Sequence, residues 1–216
     1  VTLAKAYQDV THLTSTDQHS QTYSGSIVSG FSLSAQYGSI VTGSFTMSGN
    51  GYDQEYPSRE QDISAGGGTI TAAGTSLPLN ASIDVPVVTT DGAATDFCIE
   101  SFSLSLDNGL VGQTCIGSIA PRRYEIGKAA ISVDVSVYNS DTSYDKFMRS
   151  KATLAPISMT FVMENDDGGF AFVLNAIQLS GDDPSASGAN SPVMLEMSGT
   201  AIAPAGGGSA MRIYKL

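Results

Sequence analysis

Across much of this chain apolar residues alternate strictly with small hydroxylated ones. A period of two commits a segment to a strand with one face covered and the other solvated. Ile27, Phe31, Leu33 and Ala35 share one face of such a run, and Val28, Gly30, Ser32 and Ser34 share the other. Gln36-Tyr37-Gly38 reads as a turn, after which Val41, Gly43, Phe45 and Met47 alternate with Thr42, Ser44, Thr46 and Ser48. The pair predicts a hairpin with one greasy face and one hydroxyl face.

The same design returns later. Phe102, Leu104 and Leu106 alternate with Ser101, Ser103 and Ser105; Ile131, Val133, Val135 and Val137 alternate with Ser132, Asp134 and Ser136. Ile157, Met159, Phe161 and Met163 lead into Asn165-Asp166-Asp167-Gly168-Gly169, a strong turn signal. Phe170 to Leu179 is more continuously apolar, as a strand covered on both faces would be. Val193, Leu195, Met197 and Ala201 form another alternating run, and Met211, Ile213 and Tyr214 a short final one. Ser29 to Ser34 echoes Glu100 to Ser105, a weak internal repeat that suits two packed sheets or a barrel.

One helix is expected, at about 142–151. Asp141 or Thr142 can cap it, and Tyr144, Phe147, Met148 and Lys151 stand at helical spacing. Residues 51–95, punctuated by Gly-rich runs, Pro78 and Pro86, read as a long excursion with short strands within a single domain spanning 1–216. Residues 181–192 read as a second polar loop. The opening Val1-Thr2-Leu3-Ala4 reads like the middle of a strand, so an N-terminal truncation is expected.

Composition narrows the function classes. The net charge is −11, with charged residues only 14% of the 216. Tight nucleic-acid binding needs a clustered positive surface, which such a balance does not supply. No apolar run approaches the ~20 residues of a membrane-spanning helix. The charge is uneven: residues 1–121 hold 11 acids and two bases, while the remainder holds 10 acids and eight bases. A molecule polarised in this way can stack head to tail with copies of itself, or simply present a solvated surface.

The sequence offers little chemistry. There is no nucleophile elbow, no Walker loop and no zinc-protease helix motif. His12 and His19, near Asp9 and Asp17, match no metal-ligand template. Asp166 and Asp167 fit turn chemistry better than acid–base work, and Asp182 and Asp183 read as loop. Glu100 and Asp134 each interrupt the polar face of a strand, where they are solvated or line a polar channel. Cys98 and Cys115 read as two reduced thiols, with a single disulfide as the alternative. Hence no catalytic, cofactor-binding or metal site is expected.

The segments Tyr7-Gln8-Asp9-Val10, Tyr23 to Ser34 and Gly38 to Gly49 carry an aspartate-bearing lead-in, a strand reading Gly25-Ser26-Ile27-Val28 to Ser32-Leu33-Ser34, and a strand Val41-Thr42-Gly43-Ser44-Phe45. Together with Ile99 to Leu110, Pro121 to Ser140, the helix and the closing strands, they resemble the tail tube proteins of long-tailed bacteriophages. The resemblance covers most of the chain.

It implies a mainly β fold: a sandwich or barrel of two packed antiparallel sheets with one short helix. It implies a structural, non-enzymatic subunit of the virion tail, assembled in the bacterial host cytoplasm. Its partners would be copies of itself in stacked rings, usually six-fold, and other tail proteins. DNA would pass through the channel without sticking; no membrane, cofactor or small-molecule substrate is implied. Ser32, Ser34, Thr42, Ser44, Thr46, Ser132, Asp134 and Ser136 are the strand positions expected to face water or that lumen. The alternative from composition alone is a secreted or surface β-sandwich that binds glycans or a receptor.

Overall fold

The computed structural model describes residues 3–7, 19–49, 51–55, 76–85, 87–95, 98–118, 121–181, 183–186 and 188–216. Contacts divide the chain into two units. One takes Val1–Gly30, Phe45–Thr75 and Asn108–Lys128; the other takes Phe31–Ser44, Ser76–Asp107 and Ala129–Leu216. His12, Asp9 and Asp17 fall outside the described residues, and His19 opens a strand.

In the first unit, β1 (Leu3–Tyr7), β2 (His19–Ser24) and β5 (Gly51–Glu55) form a three-stranded antiparallel sheet with β2 in the centre. β9 (Val111–Gln113) and β10 (Arg123–Glu125) pair to make an arm from Asn108 to Lys128. The neck of the arm is fixed by backbone chemistry. The amide of Asn108 donates to the Ser29 carbonyl at 2.8 Å, and its side-chain amide donates to the Val28 carbonyl at 3.0 Å. Gly109, at φ 56°, lies so close to Gly127 that a Cβ on Gly127 would collide with the Gly109 carbonyl oxygen. Higher up, the Tyr124 hydroxyl donates to the Gly49 carbonyl at 2.9 Å.

The second unit holds the core. Its main sheet is antiparallel wherever register is defined and runs β4-β3-β8-β11-β15-β13-β12-β6-β7. The strands are β3 (Ile27–Gln36), β4 (Thr42–Ser48), β6 (Val87–Thr90), β7 (Ala93–Ala94), β8 (Ile99–Asp107), β11 (Ala130–Tyr138), β12 (Ile157–Asn165), β13 (Gly168–Gly181) and β15 (Val193–Ala201). β14 (Ser185–Ala186) adds to β15, and β16 (Met211–Lys215) adds to β13. β3 and β4 are divided between the two units at Gly30/Phe31 and Ser44/Phe45.

The sheet curls until its two halves face each other, which gives the sandwich expected from the alternation. Phe102 of β8 stacks on Phe161 of β12 with ring centroids 3.7 Å apart, and Phe31 of β3 lies parallel to Phe172 of β13 at 6.3 Å. Each stacked pair thus joins strands that are not neighbours in the sheet. The inward rows are those that the alternation marked: Ile131, Val133, Val135 and Val137 on β11, Ile157, Met159, Phe161 and Met163 on β12, and Leu195 and Met197 on β15. At roughly 1.5–3 kcal/mol per buried aliphatic or aromatic side chain, these rows are what drives the sheet to fold over.

Some readings fail at the sheet margins. Phe45 is 64% exposed although its alternation marks it as core. Among the described residues β4 ends the sheet, and period alone does not distinguish an edge strand from a central one. Val193 and Phe170 are also exposed at strand ends. β13 is covered on both faces only in part: Ala171 and Phe172 are both buried, as are Ala176 and Ile177, with α1 (Asp141–Thr153) packed against this strand.

The helix starts one residue earlier than an Asp141 cap would place it and two earlier than a Thr142 cap. Ser140 is the N-cap and forms a capping box with Ser143: each side chain accepts the other's backbone N–H. Phe147 is fully buried beneath it. Leu154 closes the C-terminus at φ 55°. Lys146 ties the helix to the β6–β7 turn, reaching the Thr90 carbonyl at 3.1 Å and the Asp91 carboxylate at 3.6 Å. No helix among the described residues is long and apolar enough to cross a membrane.

Candidate lumen face

The outward side of the main sheet is built from short polar side chains, and register places them in rows. Ser105, Ser132, Thr200 and Gln178 lie in one cross-strand line over β8, β11, β15 and β13. Ser103, Asp134, Ser198 and Ser180 make the next, and Ser101, Ser136 and Glu196 a third. None of these positions carries a base. Inward-pointing apolar residues fix this arrangement, because a slip of one residue would turn every hydroxyl into the core.

Hydrogen bonds knit the rows laterally. Ser103 Oγ donates to Asp134 Oδ2 at 3.2 Å, and Ser180 Oγ donates to the Ser198 carbonyl at 3.2 Å. On β3 and β4 the hydroxyls of Ser32 and Ser44 lie 2.7 Å apart. A shallow depression of about 380 Å³ runs over this face, bounded by Ser34 and Gln36, by Asp134 and by Glu196 and Ser198.

Of the positions singled out from sequence, Ser32, Ser34, Thr42, Ser44, Thr46, Ser132 and Asp134 are exposed, and Ser136 is half-buried. Register groups Ser132, Asp134 and Ser136, and Ser34 borders the same depression. Glu196, Ser198, Thr200 and Ser180 belong to the face and were not singled out. For the β15 residues the signal is the polar side chain at 196, 198 and 200, alternating with Leu195 and Met197 on the opposite face. Glu100 is not part of the face. A register shift of β8 against β11 lets Val137 pair with Ile99 instead of Glu100, and the extra residue turns to the end of the core.

Of the other acidic candidates, Asp166 and Asp167 form the turn between β12 and β13, Asp183 lies outside any helix or strand, and Asp182 falls outside the described residues. Asp167 takes a hydrogen bond from the Leu77 amide at 2.8 Å, and its own amide donates to Asn165 Oδ1 at 3.0 Å. Cys98 and Cys115 are free and exposed. Among the described residues no group of His, Cys, Asp and Glu is arranged to hold a metal ion.

Chemically, the face can hold a continuous layer of water and can repel anions. Phosphate needs cationic donors to displace its counterions, and these rows have hydroxyls and carboxylates in their place. A search of curated proteins found no match. A model of the family described as phage tail tube protein matches residues 1–201. That match takes in the alternating strands, the helix and the hydroxyl rows alike, and the chain belongs to the phage tail tube protein family.

Proposed function

We propose that the chain is the major subunit of a phage tail tube, assembling into stacked, six-fold rings around a channel for DNA. The observation that carries this reading is the hydroxyl and carboxylate face: rows several strands wide, without a base, on a member of a tail tube family. Lining a channel with it lets a polyanion slide. Water bound to serine and threonine keeps the duplex from touching apolar surface, and Asp134 and Glu196 add like-charge repulsion within a Debye length of about 8–10 Å. The role asks nothing catalytic of the subunit. Assembly would take place in the host cytoplasm, with other tail proteins as further partners.

Rings also explain exposed apolar residues at the sheet margin such as Phe45, since a head-to-tail neighbour would cover them. Electron microscopy and sedimentation of the purified protein test the reading, and rings or tubes with six-fold symmetry are expected. In those assemblies the Asp134→Lys, Glu196→Lys pair should leave particle shape unchanged but make tubes retain duplex DNA in a salt-sensitive manner. A chain that stays monomeric at all concentrations overturns the assembly. Tubes that remain indifferent to DNA after the charge reversal overturn the placement of this face in the channel.

A further inference from the structure

The arm of the first unit ends in a tight turn, Cys115-Ile116-Gly117-Ser118. The Ser118 amide donates to the Cys115 carbonyl at 3.1 Å, and Gly117 takes φ 87°. That is the conformation that throws the second residue of the turn outward. Ile116 is accordingly fully exposed, more so than any other large apolar residue described. Val111 and Ile126 on the same arm are exposed as well. Isolated surface aliphatics need no explanation, but a β-branched side chain held at the apex of an ordered turn is placed to enter something.

The second unit has a slot of matching character. It opens at the end of the core between β3, β6, β8 and β12, walled by Ala81, Val85, Val88, Ile99 and Phe161. Its volume is about 170 Å³. That is too small for an ordinary ligand pocket of ~300–1,000 Å³ and suits one branched aliphatic side chain. Glu100, turned there by the bulge, supplies the charge at the slot, and no base lines it. The arm is the complement: it carries Arg122, Arg123 and Lys128 against a single acid, Glu125, in a chain of net charge −11. Arg123 is engaged with Glu125 at 2.6 Å, while Arg122 and Lys128 have no ion-pair partner among the described residues.

We propose that Ile116 of one copy of this chain seats in the slot of a second copy, with Arg122, which pairs with Gln113 near the tip of the arm, meeting Glu100. The contact rests on the tail tube reading and names a specific joint within it. Such a contact is heterologous, knob to hole, so it propagates from copy to copy instead of closing a two-fold dimer. The two free cysteines report on it. Cys115 precedes the knob, and Cys98 precedes Ile99 and Glu100 at the slot. Neither thiol lines the slot, but seating brings the Cys115 segment of one copy close to the Cys98 segment of the next, within reach of a short cross-linker.

The test is oxidation of the assembled full chain with copper(II)–phenanthroline. Two thiols release two protons to solvent, pass one electron to each of two copper(II) ions, which become copper(I), and form one S–S bond between chains. Non-reducing gels should show a ladder of covalent multimers that reducing agent collapses. Cys98→Ser and Cys115→Ser should each abolish it, and so should Ile116→Asp. A short bismaleimide, which tolerates a longer separation between the thiols, should give the same ladder. Assemblies that form yet give no ladder with either reagent overturn the joint and leave the tail tube reading intact. So does a link that survives loss of Cys98, or one made within a single chain. Failure to assemble at all, seen by sedimentation before any oxidant is added, overturns both.

Discussion

The rings of Phe102 and Phe161 stack at 3.7 Å with 25° between their planes, although β11, β15 and β13 stand between their strands in the sheet. One contact thus joins the two ends of a long hydrogen-bonded path. Both rings are almost completely buried, and the pair acts as the clasp of the curled sheet. Phe102→Ala should therefore lower stability by about 3–5 kcal/mol, the usual cost of deleting a buried aromatic and leaving its cavity. Urea unfolding followed by circular dichroism measures this. A loss under about 1 kcal/mol would mean that the layers hold together without the pair.

The arm offers a second, local prediction. Because a Cβ on Gly127 would run into the Gly109 carbonyl, Gly127→Ala has to push the two strands of the neck apart. A cost of about 1–3 kcal/mol is expected, as for other over-packed sites. Amide exchange at Asn108, whose N–H reports on the closed neck, should quicken while exchange along β12 and β13 stays the same. Unchanged protection of Asn108 would show that the neck accommodates the methyl group.

Leu154 makes a third. It holds a left-handed backbone at the helix C-terminus, a conformation that costs an L-residue roughly 1–2 kcal/mol, and its side chain is 65% exposed. Leu154→Gly should stabilise the protein by about 0.5–1 kcal/mol, the relief of strain being offset in part by the freedom glycine has when unfolded. Leu154→Ala should bring no such gain. Thermal melting of the three proteins side by side decides it, and a glycine variant that melts below the parent would contradict the strain.

Much of the fold was legible because one rule recurs. Along β11 each residue from Ile131 to Val137 falls on the face that its polarity announces, since a central strand between two neighbours leaves no other way to bury four β-branched side chains. At the edge the rule weakens, and Phe45 shows it: the pattern is the same, yet the side chain is 64% exposed. The hydroxyl rows were half legible. Ser132 and Asp134 could be assigned a face from their own strand, but nothing local shows that Ser198 stands beside Asp134, because pairing joins positions far apart in the chain. Glu100 was misplaced for a related reason: a bulge is a property of two strands in register, and one strand read alone does not display it. The N-cap falls at Ser140, one residue before Asp141 and two before Thr142, a matter of which hydroxyl reaches the third amide.

The place of β15 between β11 and β13 has a consequence for how the protein is made. A ribosome delivers Val193–Ala201 late, after β8, β11, β12 and β13 have already left the exit tunnel. Until then the halves of the sheet lack the strand that joins them, and both present open edges in a cell filling with identical nascent chains. The sheet is thus not closed until β15 has emerged. For the assembly proposed above, that order would keep a subunit from joining its neighbours before β15 has closed its core.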